Sequence, residues 1–159
     1  MKEKTEAKPK PELKEIFGLL ARLAVGGAFI YSGVIKALAP AEEFAYAIES
    51  YKVLGAGPSL WAAQAVPWVE LYAGALLAAG VFTRFSGLFT AAMLVLFEVM
   101  LAQAWLRGLP LTSCGCFGAG SANSLTYEFL QNLVFLALLG AAMRLGRGFS
   151  ADASVGKND

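Results

Sequence analysis

Apolar residues in this chain gather into four runs, at 16–38, 60–82, 86–106 and 125–145, each interrupted only by isolated polar positions. A run of about 20 residues, at 1.5 Å of rise per helical residue, covers a hydrocarbon layer about 30 Å thick. None of the runs alternates polar and apolar with a period of two, which argues against the strands of a membrane barrel. The pattern predicts an all-α integral membrane protein built as a four-helix bundle. Between the first two runs, "AEEFAYAIESYKVLG" sets Phe44, Ala47, Ile48 and Tyr51 at helical spacing, with Glu42, Glu43, Glu49 and Lys52 elsewhere. That predicts a short extracytoplasmic amphipathic helix lying on the membrane surface, bounded by Pro40 and by "GAGP". Asn123 or Ser124 is placed to cap the fourth run.

Composition sharpens this outline. The 159 residues are 57% hydrophobic and 16% charged, too little charge for a soluble domain of that size. A net charge of +1 and the lack of any aromatic–basic pattern argue against nucleic acid as a partner. The first residues, "MKEKTEAKPKPELKE", are too polar for a cleaved signal peptide, so the first run is expected to be an uncleaved anchor. Residues 1–14 and 147–159 are expected to be solvated cytoplasmic tails flanking a transmembrane domain at 15–146. Nine Lys and Arg fall in the two tails and the second connection, against three (Lys36, Lys52 and Arg107) in the other connections. The bias places both termini in the cytoplasm and the third connection outside.

That third connection, "RGLPLTSCGCFGAGSANS", holds both cysteines of the chain, Cys114 and Cys116. Residues two apart form a disulfide only when the backbone between them folds tightly, and Gly115 is the residue that permits it. A ring so small stabilises almost nothing as a staple, whereas strained exposed disulfides are the labile ones. A reactive pair is one reading, and two ordinary thiols near a membrane interface is the other. A metal site is disfavoured, because two thiolates fill half of a tetrahedral shell and the chain has no histidine. Arg107 upstream and the start of the fourth helix downstream both favour a thiolate.

Polar residues inside the runs form a second set. An ion within the bilayer costs about 2.5–3.5 kcal/mol on insertion scales, so such residues face the bundle interior. Glu70, Glu98, Gln131 and Asn132 fall at similar depths in the half of the membrane nearest the cysteines. They read either as a polar cavity suited to proton transfer or a quinone headgroup, or as hydrogen-bonding glue between helices. Arg22 lies near the opposite end, within reach of the interface by snorkelling. Lys36 reads as an interfacial charge closing the first helix, and Pro67 as a kink above Glu70.

"RLAVGGAFIYSGVIKALAPAEEFAYAIESYKVLG", "VPWVELYAGALLAAGVFTRFSG" and "CGCFG", taken in order from Ala21 to Leu145, resemble the MauE branch of the DoxX-like membrane proteins. The matching positions are Lys36, Pro40, Phe44, Tyr51, Pro67, Glu70 and the stretch 114–118. The resemblance implies a redox-associated, multi-pass protein of the bacterial cytoplasmic (inner) membrane. It also implies a role beside a thioredoxin-like protein in maturing a disulfide-rich partner, and DoxX relatives suggest a link to quinone. The arrangement is similar to the vitamin K epoxide reductase type as well, but the second thiol pair of that group is missing here. A partner must then exchange with Cys114 and Cys116 directly. The expected function is thiol–disulfide exchange with a thioredoxin-like or cysteine-rich extracytoplasmic protein, coupled to quinone with no covalently bound cofactor. The alternative is a non-catalytic subunit or assembly factor of a larger membrane complex.

Overall fold

The computed structural model describes residues 13–109 and 124–145, and the described chain is helical with no strand. Its elements are α1 (Leu13–Leu38), α2 (Ala41–Ser50), α3 (Ala56–Ala79), α4 (Thr83–Leu106) and α5 (Leu125–Leu145). α1, α4 and α5 are long and apolar enough to cross a membrane. α3 is as long as α4, at 24 residues, and is interrupted by Gln64, Pro67 and Glu70. Each long helix packs mainly on two of the others: α1 on α3 and α5, and α4 on α5 and α3. At the centre, Val25, Phe29, Leu77, Leu94 and Leu139 draw at least one buried side chain from every long helix.

The boundaries correct the sequence reading in three places. Helix α1 already begins at Leu13, inside the expected tail. Helix α3 starts at Ala56 rather than four residues later, taking Gly57 and Pro58 into its first turn. Proline is tolerated there because a first-turn N–H has no partner within the helix in any case. The "FTRFSG" stretch is mostly helix, with the turn confined to Gly80–Phe82 and Thr83 opening α4. The expected cap at Ser124 is present, its Oγ accepting from the Tyr127 N–H at 3.3 Å.

The closest approach is between α1 and α3, and glycines make it possible. A Cβ on Gly33 would lie 2.7 Å from the Pro67 carbonyl oxygen, and one on Gly74 would lie 2.7 Å from that of Gly26. These pairs fix the antiparallel register and reveal a stagger. Beyond the Gly33–Pro67 level, α1 has five residues left and α3 has eleven, so α3 overshoots α1 by about 9 Å. Helix α2 covers that overshoot, burying Phe44, Ala45 and Ala47 near Ala63 while Glu42, Glu43 and Tyr46 stay exposed.

At the other end of α3, Gly80 has φ +70° and lies under the Arg22 guanidinium. Arg22 is 2% exposed, so it does not snorkel: it sits over the C-terminus of α3, where the helix dipole favours a cation. A Cβ at Gly80 would meet the guanidinium at 2.7 Å. Gly80→Ala is expected to lower stability by about 1–2 kcal/mol from the left-handed backbone and the displaced arginine together. Thermal unfolding in detergent checks this, and an unchanged midpoint would contradict the contact.

Candidate functional site: a buried charged layer

One turn above the apolar centre, the structure joins residues from three helices into a charged layer. Lys36 near the end of α1 donates from Nζ to Glu70 Oε1 on α3 at 2.6 Å. The Ser32 hydroxyl, one turn earlier on α1, donates to Glu70 Oε2 at 2.9 Å. Both carboxylate oxygens are therefore engaged. The ammonium also lies 4.8 Å from the centre of the Phe44 ring and 5.4 Å from that of Phe97. Those distances are within cation–π range. Lys36 is 2% exposed and Glu70 1%.

Lys36 is thus not the interfacial charge its position in the sequence implied. It lies near the end of α1, but α3 and α2 continue past that end, and Phe44 of α2 closes over it. Glu70 is the one acidic residue whose deep burial the sequence reading anticipates fully. The Lys36 partner and the Ser32 donor went unread, although an ion inside an apolar run must find an opposite charge and only one lysine lay close enough in depth.

Asn132 on α5 joins Glu70 and Ser32 around a pocket of about 30 Å³, the rest of whose wall includes Phe29, Leu94, Phe97 and Phe135. Such a volume holds one or two water molecules. It is about a tenth of the ~300 Å³ at which small-molecule pockets begin. The pocket lined by Glu70 and Asn132 is therefore smaller than a quinone ring.

Glu98 on α4 reaches the same level from outside the pocket wall. Its carboxylate oxygens are buried, and the Asn132 amide is near enough to act on it. Gln131, the neighbour of Asn132 on α5, is half-buried and lies outside the pocket wall. Glu128, one turn before Asn132, is buried at 2% exposure. The sequence reading passed over it, since an acidic residue in the first turn of a helix ordinarily offsets the dipole at the surface.

Toward the ends of α4 and α5 an apolar layer of Tyr51, Leu101 and Ala104, with Phe129 against it, covers this level. Gln103 ties that end to the α2–α3 turn by donating from Nε2 to the Tyr51 carbonyl at 3.4 Å. Arg107 lies exposed just beyond α4. Cys114, Gly115 and Cys116 lie outside the described residues. The described positions that flank them, Leu109 and Ser124, stand at the α2 end of the molecule.

Long apolar helices around a buried, neutralised ion pair define a helical membrane protein. The chain matches the model of the family described as methylamine utilisation protein MauE over residues 14–145, and it belongs to that family. No curated protein and no solved structure matches it.

Proposed function

We propose that this MauE-family protein is an inner-membrane thiol–disulfide exchanger. In this reading Cys114 and Cys116 trade a disulfide for two thiols with a thioredoxin-like or cysteine-rich protein on the extracytoplasmic face. The two electrons and two protons that one pair gives up are those the other takes. The family description points to methylamine utilisation as the setting, and a cysteine-rich protein of that system is the proposed partner. α1, α3, α4 and α5 all cross the membrane, with both termini in the cytoplasm and α2 lying along the outer surface.

The observation that carries the reading is the pairing of the chain's two thiols, one residue apart, in the segment between Leu109 and Ser124. A short loop of this kind has little structural use for a disulfide. Burial of Lys36 adds support for the orientation, because a paired intramembrane lysine is no longer a loop charge. Nine Lys and Arg then oppose two, Lys52 and Arg107.

Single Cys114→Ser and Cys116→Ser variants are expected to lose disulfide exchange by at least about 100-fold, because each removes either the attacking or the resolving thiol. Trapping thiols in membranes during partner turnover checks this. Full exchange by both variants would overturn the reading. A second reading, a non-catalytic subunit or assembly factor in a larger membrane complex, is favoured by the closed character of the Lys36–Glu70 pair, whose partners are all structural. Thiols that never change state during turnover would support it.

A further inference from the structure

Asn132 is 7% exposed and lines the pocket, yet its Nδ2 has no hydrogen-bond partner among the described residues. Both Glu98 oxygens share that condition. The amide lies toward the Glu98 carboxylate and acts on it, but no atom pair between them reaches full hydrogen-bonding geometry. A buried donor without an acceptor is costly, and an ionised carboxylate without a partner is costlier still. Two remedies are available. A water can bridge such groups where the space is polar and large enough, and here about 30 Å³ is walled by Ser32, Glu70 and Asn132. A proton can neutralise the carboxylate.

We propose that water in this pocket links the Glu70 carboxylate to Glu98 through Asn132, and that Glu98 carries an exchangeable proton. The layer is then a two-carboxylate site with divided roles. Lys36 and Ser32 hold Glu70 as an anion, while Glu98, with no cation of its own, is the acid. The Glu98 proton exchanges with water that reaches its carboxyl group past the Asn132 amide and returns the same way, so no other reactant is needed. The charged groups around this level are Lys36 on α1, Glu70 on α3 and Glu128 on α5. No group of three or more His, Cys, Asp or Glu able to hold a metal ion exists among the described residues. This inference goes beyond the thiol reading and does not depend on it.

Infrared spectroscopy of the full chain in lipid nanodiscs, exchanged between H₂O and D₂O, tests the proposal without a partner or turnover. The expected result is a carboxylic acid C=O band that shifts in D₂O, disappears in Glu98→Gln and survives in Glu70→Gln. Absence of the band in the unmodified protein, or its persistence in Glu98→Gln, would overturn the assignment of the proton. Glu98→Asp, which keeps the acid, should retain the band at a shifted position. Asn132→Leu fills the pocket with carbon and is expected to slow hydrogen–deuterium exchange of the band several-fold. An unchanged exchange rate in Asn132→Leu would overturn the role of the water. Because the cysteines take no part in these measurements, failure here leaves the thiol reading intact, and the reverse holds as well.

Discussion

Lys36→Met is expected to destabilise the protein by about 3–5 kcal/mol, the cost of leaving a buried carboxylate without its counter-charge. The variant removes the 2.6 Å ion pair and both ring contacts of the ammonium, while Glu70 keeps only the Ser32 hydroxyl. Protonation of Glu70 would recover part of the loss. The informative comparison is with the double variant Lys36→Met/Glu70→Met. Replacing a whole buried pair with apolar side chains of similar volume is often neutral or stabilising, so the double variant should recover most of the stability lost by the single one. Unfolding by SDS titration in mixed micelles measures all three proteins. A single variant as stable as the parent would show that the pair is not desolvated as described.

Crowding the α1–α3 contact is the second change with a large expected effect. Gly33→Ala and Gly74→Ala each drive a methyl group to within 2.7 Å of a carbonyl oxygen on the opposite helix. Backbone cannot rotate away as a side chain can, so the helices must part, at about 1–3 kcal/mol for each substitution. Separation would also lengthen the Lys36–Glu70 contact, since that pair bridges the same two helices across the Gly33–Pro67 level. Gly27→Ala is the control: nothing lies within 4 Å of its Cβ position, and alanine is the better helix former by about 1 kcal/mol. The same unfolding assay should separate Gly33 and Gly74 from Gly27. Equal effects at all three would mean that the close approach carries no energy.

The four long helices and α2 were legible because their signals are long and periodic. Phe44, Ala47 and Tyr51 are buried as the spacing of the α2 segment predicts, and Ser124 caps α5. What escaped the sequence was relative height. Gly57 and Pro58 look like breakers, so α3 was expected to begin at residue 60, roughly level with the end of α1. The overshoot of α3, and with it the burial of Lys36, depends on Gly33 meeting Pro67, a register that neither helix specifies alone. Glu98, Gln131 and Asn132 were read with Glu70 either as one polar cavity or as hydrogen-bonding glue between helices. The structure places Asn132 between the two carboxylates, with Glu98 outside the pocket wall. The roles of Cys114, Gly115 and Cys116 rest on sequence alone.

The geometry of the Lys36–Glu70 pair has an electrical consequence. In a membrane under voltage, a full charge crossing the bilayer gains about 2.3 kcal/mol per 100 mV. Two opposite charges 2.6 Å apart span less than a tenth of a 30 Å layer. The field therefore turns or separates them with at most about 0.2 kcal/mol per 100 mV, far below what holds the pair together. An energised membrane leaves this charged core indifferent to its potential. Any response of the protein to voltage must come from a charge that travels further, such as the exchangeable proton proposed for Glu98.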